Sequence, residues 1–363
     1  MSKLIWPRTL VTDRLGITYP LIQAPMAGAA ANPELVTAVA NAGGLGSLGA
    51  GYLSPDALRA SIRAIRAQTK RPFAVNLFAP ESPTSDPAAI ARMAARLRPY
   101  RAAVGLPPDV PAPQSYAEDF ADQIAVVLDE GVPIFSFVFG IPPRDMLERF
   151  KERGVTLIGT ATTVREAQQL ADADVDLIVA QGSEAGGHRA TFLGPAESAL
   201  IGTIALVPQI VDRVSVPVIA AGGIMDGRGV VAALALGAAG VQMGTAFLTR
   251  AESGAPAAQK EAILRGGDDS TTLIRGISGK WARGIPNQLS QALATPADDI
   301  LPYPIQHALT REIRRAASQQ GRQEYLALWS GQAGHLAGTA GAAQLIAEVD
   351  QQVRALLASA AMD

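Results

Sequence analysis

Cysteine is absent from the 363 residues of this chain. Its absence excludes disulfide bonds, thiolate nucleophiles, iron–sulfur clusters and cysteine-based zinc sites, so any redox chemistry must be supplied by a bound cofactor. Histidine is scarce too, with three residues far apart in the sequence, at His188, His307 and His335. Because no histidines and carboxylates cluster at the spacing of metal ligands, the sequence predicts no metal site.

A strong charge of either sign is also lacking, since the formal net charge is −2. The arginines at Arg92, Arg96, Arg98 and Arg101 recur at helical spacing, which is typical of a solvated helix face. Nothing in this charge distribution attracts a polyanion over a long range, and we expect no nucleic-acid partner.

Long apolar runs of the kind that direct secretion or cross a membrane are missing. The first residues are interrupted by a proline and by charges, at Pro7, Arg8, Asp13 and Arg14. The uncharged run over residues 229–249 reaches the roughly 20 residues of a membrane span. Gly237 and Gly240 divide it into a short helix and a short strand, however, so we expect a cytoplasmic protein without membrane association.

Apolar residues make up 48% of the chain, enough for a large core. Eight short apolar runs alternate with amphipathic helical stretches, and they begin near Leu21, Leu45, Phe73, Ile134, Thr156, Leu177, Pro217 and Val241. The runs lack polar alternation, as expected for parallel strands that are buried on both faces. This alternation predicts an α/β fold of the (β/α)₈ or TIM-barrel type.

Helix-capping signals support the alternation. Four helix starts are predicted from Asn32 with Pro33, Ser54 with Pro55, Thr163 with Glu166, and Ser115 with Glu118.

The region after the eighth predicted strand fits no further strand and helix unit. We expect residues 251–337, called the lid segment below, to form a small, mostly helical insertion that acts as a lid and substrate subdomain. The barrel then comprises residues 1–250 and 338–363, with the last helix returning to close it.

One glycine motif is misleading. Gly44, Gly46 and Gly49 match the dinucleotide-binding pattern G-x-G-x-x-G, but that motif requires a strand before it and a helix after it. Here a predicted helix precedes and a predicted strand follows. We therefore interpret these glycines as a helix end and a crowded strand.

Two other glycine-containing segments favour a phosphate site. Residues 220–223 (AAGG) end the seventh predicted strand, and residues 242–245 (QMGT) end the eighth. In barrels the loops after these two strands often bind phosphate, because glycine lets backbone N–H groups approach an anion. The alternative is that the glycines only permit tight turns.

His188 is the candidate catalytic residue. It ends the segment QGSEAGGH, just beyond the sixth predicted strand, where a neutral imidazole can accept a proton or donate to an anion. A purely structural histidine is the alternative.

Three carboxamides, those of Asn76, Gln181 and Gln242, are expected at strand ends around the mouth of the barrel. Groups that both donate and accept hydrogen bonds suit a flat heterocycle such as a flavin. Met26 is expected beside such a ring, although ordinary core packing is an equal interpretation.

Taken together, the segments APMAG (Ala24–Gly28), QGSEAGGH, AAGGI and QMGT, with the Asn76 strand and LWSGQAG (Leu328–Gly334), resemble the FMN-dependent nitronate monooxygenase family, also called 2-nitropropane dioxygenases. The resemblance implies a TIM barrel that holds FMN without a covalent bond. It also implies oxidation of alkyl nitronates, or of propionate 3-nitronate, by O₂ to a carbonyl compound and nitrite.

The resemblance further implies roles for individual residues. His188 is the expected active-site histidine, and the expected FMN contacts are Ala24, Pro25, Met26, Asn76, Gln181, Gly186, Gly222, Gly223, Gln242, Met243, Gly244 and Thr245. One position departs from the family, because many members have histidine where this chain has Val138. Val138 is expected to line the substrate pocket, and Lys280 or Tyr303 of the lid segment to meet a substrate carboxylate.

Two other functions remain open at this point. One is an FMN-dependent NAD(P)H reductase of the enoyl-acyl-carrier-protein or quinone type on the same barrel. The other is a flavin-free, phosphate-binding barrel. The sequence makes no prediction of the oligomeric state.

Overall fold

The structure is a computed structural model that describes residues 6–28, 30–81, 83–84, 86–109, 115–294 and 296–359. Its strands are β1 (Leu21–Gln23), β2 (Gly46–Gly49), β3 (Phe73–Phe78), β4 (Ile134–Val138), β5 (Thr156–Ala161), β6 (Leu177–Gln181), β7 (Gly187–His188), β8 (Val218–Ala221), β9 (Gly240–Met243), β10 (Thr272–Ile274) and β11 (Ala282–Gly284).

The helices are α1 (Leu10–Leu15), α2 (Pro33–Asn41), α3 (Pro55–Gln68), α4 (Pro87–Ala103), α5 (Phe120–Asp129), α6 (Arg144–Lys151), α7 (Val164–Asp172), α8 (Thr203–Val211), α9 (Gly227–Ala235), α10 (Thr245–Leu248), α11 (Ala257–Arg265), α12 (Gln288–Ala292), α13 (Ile305–Gln319) and α14 (Ala342–Ser359). None of the helices in the described ranges has both the length and the apolar character needed to cross a membrane.

Eight parallel strands form the predicted barrel, in the order β1-β9-β8-β6-β5-β4-β3-β2. The two ends of this sheet meet where Ile22 forms an isolated parallel bridge with Leu45. The strands are buried on both faces, which explains why their sequences lack polar alternation. The fold prediction is confirmed.

Most of the predicted helix starts are confirmed. Asn32 and Ser54 each accept a hydrogen bond from the backbone three residues later, and Thr163 forms the expected capping box with Glu166. The prediction at Ser115 is wrong. The helix in that region begins at Phe120 because Asp119, nearer the apolar face, provides the capping carboxylate.

The glycines of the misleading motif serve close packing. A Cβ at Gly46 would lie 2.2 Å from the Val36 carbonyl oxygen, and one at Gly49 would lie 2.5 Å from the Ala27 nitrogen. Only glycine leaves room for the neighbouring backbone at these positions.

The lid segment is mostly helical, with α11, α12 and α13, but it also contributes strands. The strands β10, β11 and β7 form a small antiparallel sheet, in which Ala282 of the lid segment pairs with His188. The lid segment has its own apolar cluster, which includes Leu309 and Ile313 of α13 and also Met93 and Leu97 of α4. The layer above the barrel is therefore built from two separate parts of the chain.

The expectation of a solvated arginine face on α4 is wrong for Arg96 and Arg101, and the half-buried Arg96 donates to the Ala292 carbonyl oxygen of the lid segment at 2.6 Å. Arg101 is only 1% exposed, and its guanidinium donates to Glu312 of α13 at 2.6 Å. The packing of α4 against the lid segment turns this position inward.

Candidate active site

A cavity of about 590 Å³ lies at the carboxyl ends of the barrel strands. This is the end at which barrel enzymes place their active sites, because the loops that follow the strands converge there. Most of the predicted site residues line it: Ala24, Pro25, Met26, Asn76, Val138, Gln181, Gly186, His188, Gly222, Gly223, Gln242, Met243, Gly244 and Thr245.

Glycines shape one end of the cavity. Gly222 and Gly223, which follow β8, have φ angles of +120° and +71°, a conformation that other residues rarely adopt. Gly244 follows β9, and a Cβ there would lie no closer than 3.6 Å to any neighbour. A Cβ at Gly222 would lie 2.8 Å from the Thr203 hydroxyl, so glycine is needed there for close packing, whereas Gly244 leaves space at the end of the adjacent strand, as expected of a phosphate-binding rim.

The loop between β6 and β7 is held by two charged residues that sequence patterns did not assign to it, the buried Arg189 and the half-buried Glu184. Arg189 is 1% exposed and donates to the carbonyl oxygens of Gln181 and Gly182, at 3.0 and 2.6 Å. Burial lowers the pKa of the Arg189 guanidinium to about 10. The Glu184 carboxylate accepts from the Thr203 backbone and hydroxyl at 2.9 Å. Both residues therefore fix the shape of the loop that carries His188.

The three predicted carboxamides line the cavity but differ in their hydrogen bonding. Gln181 uses both ends of its amide on the loop, donating to the His188 carbonyl at 3.1 Å and accepting from the Ala190 nitrogen at 2.9 Å. Asn76 donates to Ser136 at 2.9 Å. Within the described ranges, the Asn76 Oδ1 atom and the whole Gln242 carboxamide have no hydrogen-bond partner and are available to a ligand.

His188 lies at the centre of the cavity wall. Its Nε2 is 2.8 Å from the Ser278 hydroxyl, and aromatic rings surround it, including Trp329 at 5.3 Å and Phe139 at 5.8 Å between ring centroids. Burial, followed by the positive charges of Lys280 and Arg314, lowers the pKa of His188 to about 3. The imidazole is therefore neutral at physiological pH.

A second histidine extends the site in a way that sequence reasoning did not find. The His307 ring stacks on Tyr52 with 4.3 Å between centroids, and its Nδ1 is 3.3 Å from a guanidinium nitrogen of Arg314. Burial and the nearby Arg314 charge lower the pKa of His307 well below its usual value, while burial raises that of Tyr52 to about 12. The helical periodicity of α13 indicates this part of the site, because His307, Arg311 and Arg314 are spaced so that they share one helix face.

Lys280 and Tyr303 are not among the cavity-lining residues. Lys280 forms an ion pair with Glu81 at 2.7 Å, and its ammonium group lies 4.6 Å from the centroid of the Phe139 ring. The Tyr303 ring packs on Phe139 and is 7% exposed. Both residues lie one layer behind the wall, so the charge of Lys280 reaches the site without direct contact.

The cavity fits a flavin. The glycine rim leaves room for a phosphate, while the free amide groups of Asn76 and Gln242 can bind the polar edge of a planar ring. Among the residues that the structure describes, no cluster of three or more histidines, aspartates and glutamates could hold a metal ion. Fold and site together define a barrel enzyme that places an organic cofactor at the carboxyl ends of its strands.

Comparison with known proteins identifies the family. The family model described as nitronate monooxygenase matches residues 8–352. Probable nitronate monooxygenases from Staphylococcus saprophyticus and Staphylococcus haemolyticus are 46% and 45% identical, over 96% and 97% of this chain and 98% and 99% of theirs. The chain belongs to the nitronate monooxygenase family, whose members are flavin-dependent oxidoreductases, and the family prediction is confirmed.

Two solved structures show the same architecture. Nitroalkane oxidase from Streptomyces ansochromogenes has a TM-score of 0.88 and 36% identity, covering 96% of this chain and 99% of its own. FabK from Thermotoga maritima has a TM-score of 0.76 and 30% identity, covering 97% and 98%.

Proposed function

We propose that this enzyme binds FMN in the cavity and oxidises preformed alkyl nitronates, including propionate 3-nitronate, with O₂ to a carbonyl compound and nitrite. The observation that carries the proposal is a neutral histidine held in a positively charged surrounding. A nitronate is an anion, and the charges of Lys280 and Arg314 favour an anion beside His188.

The depressed pKa of His188 favours the nitronate over the neutral nitroalkane as the substrate. A base with a pKa of about 3 is too weak to remove a carbon-bound proton rapidly at neutral pH. A nitronate has already lost that proton. We therefore assign to His188 the binding and orientation of the anion, with its ring held in place by the Ser278 hydroxyl at 2.8 Å.

Apolar side chains shape the space for the alkyl group. Val138 and Phe78 line the cavity, and Phe139 does so with a φ angle of +74°. A positive φ is strained for a bulky residue and is found where the surroundings enforce it. Its ring then covers the edge of His188 and helps to exclude water from the reacting centre.

For the cofactor, we assign the phosphate to the rim of Gly222, Gly223, Gly244 and Thr245, and the polar edge of the ring to Asn76 and Gln242. Met26 would lie beside the ring. A bound flavin supplies electron transfer and the reaction with O₂. Residues 251–337 act as the lid and substrate subdomain over the barrel of residues 1–250 and 338–363, because α13 of the lid segment lines the same cavity.

O₂ consumption tests the proposal most simply. O₂ consumption would be measured, per bound flavin, with preformed propyl-1-nitronate and with neutral 1-nitropropane, and the oxidation of NADH in the presence of a quinone would be followed separately by NADH absorbance. We expect the nitronate to react at least about 100-fold faster than the nitroalkane, since proton removal by a positioned base contributes this much or more where it operates. Equal rates with both forms would reject the assignment of His188, and rapid NADH oxidation without nitronate turnover would reject the function.

A further inference from the structure

The helix α13 turns an unusually basic face toward the cavity. His307, Arg311, Arg314, Arg315 and Ser318 all line the cavity, and their spacing places them on one side of the helix. A neighbouring face, with Leu309, Ile313 and Ala317, is buried in the apolar cluster of the lid segment. Packing of the apolar face therefore fixes the direction in which the arginines point.

The charges on this face are not compensated by protein carboxylates. Within the described ranges, Arg311, Arg314 and Arg315 have no carboxylate within 4 Å. The single acidic residue of α13, Glu312, instead pairs with Arg101. Like charges three or four residues apart on a helix repel each other, at a cost in stability. A site that retains such a cost is suited to an anionic ligand.

Arg311 and Arg315 lie beyond the reacting centre. Arg314 contacts His307 and acts on His188, whereas Arg311 and Arg315 are exposed at the outer part of the cavity. They follow His307 by one and two helical turns, which correspond to about 6 and 12 Å along the axis. The glycine rim lies at the ends of β8 and β9, whereas the basic face lies on α13, so different elements of the cavity lining carry the two sets of residues.

We propose that Arg311 and Arg315, assisted by Ser318 and Gln319, form a phosphoryl-binding subsite at the mouth of the cavity. Two guanidinium groups match the two negative charges of a phosphate monoester, or of the pyrophosphate bridge of a dinucleotide, and can bind its oxygens in pairs. The ligand is either an extended substrate with a phosphorylated tail or a pyridine dinucleotide with its pyrophosphate. The subsite itself follows from α13, and only the substrate form of the ligand rests on the proposed function.

Calorimetric titration with inorganic pyrophosphate tests the subsite. Flavin-loaded protein would be used, so that the cofactor phosphate site is filled. We expect wild-type protein to bind one pyrophosphate and the Arg311→Gln/Arg315→Gln double variant to bind it at least about tenfold more weakly, because the double variant loses charge-assisted hydrogen bonds to the phosphoryl oxygens. Arg265→Gln is the matched control, because Arg265 is an exposed arginine outside the cavity, paired with Glu261 on its own helix.

The result of the pyrophosphate titration either supports or overturns the subsite. No binding to the wild type, or equal affinity in wild type and double variant, would overturn the subsite. Partial recovery of pyrophosphate affinity in the Arg311→Lys/Arg315→Lys variant would support binding through the positive charge of these side chains. A parallel titration with NADPH identifies the source: weakened binding in the double variant indicates the dinucleotide, whereas no wild-type binding of NADPH indicates a phosphorylated substrate. Nitronate oxidation is assayed on the same samples. Its result does not depend on the affinity for pyrophosphate or NADPH, so failure of the proposed function can be distinguished from failure of the subsite.

Discussion

The protonation state of the His188 imidazole is set by its surroundings in the fold. The segment QGSEAGGH correctly placed a histidine at the mouth of the barrel, but its protonation state follows from burial and from Lys280 and Arg314, which are 92 and 126 residues away. The sequence also placed Lys280 and Tyr303 in the lid segment without showing that they lie behind the cavity wall. Whether a side chain reaches the cavity depends on the packing between elements, which local sequence patterns do not encode.

Replacement of His188 by asparagine tests its role as an anion-binding group. We expect kcat/KM for a preformed nitronate to fall by roughly 10- to 100-fold, because a hydrogen bond to a charged group contributes about 1.5–3 kcal/mol. The pH profile of kcat/KM for the wild type should show no inflection near the ordinary histidine pKa of about 6.5. His335→Asn, at an exposed histidine outside the cavity, should behave like the wild type in the same steady-state assay.

Gly244 offers a test of the cofactor site without backbone strain. Its φ angle is −101°, and a Cβ would meet only Ala24 and Met26, at 3.6 and 3.9 Å. We expect Gly244→Leu to purify with little flavin, because the longer side chain must extend into the cavity, while Gly244→Ala should retain it. Flavin absorbance per folded protein measures the result. Full flavin content in Gly244→Leu would show that the phosphate lies elsewhere.

At the scale of elements, the eight barrel strands and most helices were predictable because each has a strong local pattern. The helix starts at Asn32, Ser54 and Thr163 could be predicted from single capping side chains. The strand β7 was not, since it contains two residues and pairs with β11 almost 100 residues later. The contribution of α4 to the layer above the barrel was missed for the same reason, because only tertiary packing brings Arg101 to Glu312.

Glu166 connects two elements and should be important for stability. It is fully buried, and its carboxylate accepts from the Thr162 nitrogen at 2.6 Å and from the Phe192 and Leu193 nitrogens at 2.6 and 2.9 Å. We expect Glu166→Ala to lower the free energy of unfolding by about 3 kcal/mol, because several buried N–H groups lose their acceptor. Urea denaturation measures the loss. A change below about 0.5 kcal/mol, typical of surface substitutions, would contradict this assignment.

For the whole molecule, the net charge of −2 gave no indication of a basic cavity, because the residues that line the cavity include arginines but no aspartate or glutamate. Burial of two neutral histidines, together with the cations beside them, also sets a pH dependence of stability. The folded-state pKa values of His188 and His307 lie below the unfolded value, so the unfolded chain takes up protons first as the pH falls. Stability should therefore be lost from about pH 6.5 downward.

Comparison of His188→Gln with the wild type isolates one part of this effect. For a pKa of about 3 in the folded protein, His188 alone should account for about 2 kcal/mol of the stability lost between about pH 7 and pH 5. The variant should show a correspondingly smaller loss in urea denaturation of flavin-loaded protein. An identical loss in both proteins would show that the His188 pKa is not depressed.

Anaerobic mixing of the purified flavoprotein with a preformed alkyl nitronate, and separately with NADH, is the most direct test of nitronate oxidation by this enzyme. Flavin absorbance at about 450 nm reports the transfer of electrons in each case. We expect rapid loss of this absorbance with the nitronate and a much slower change with NADH. Rapid loss with NADH and none with the nitronate would contradict nitronate oxidation and indicate a reductase on the same barrel.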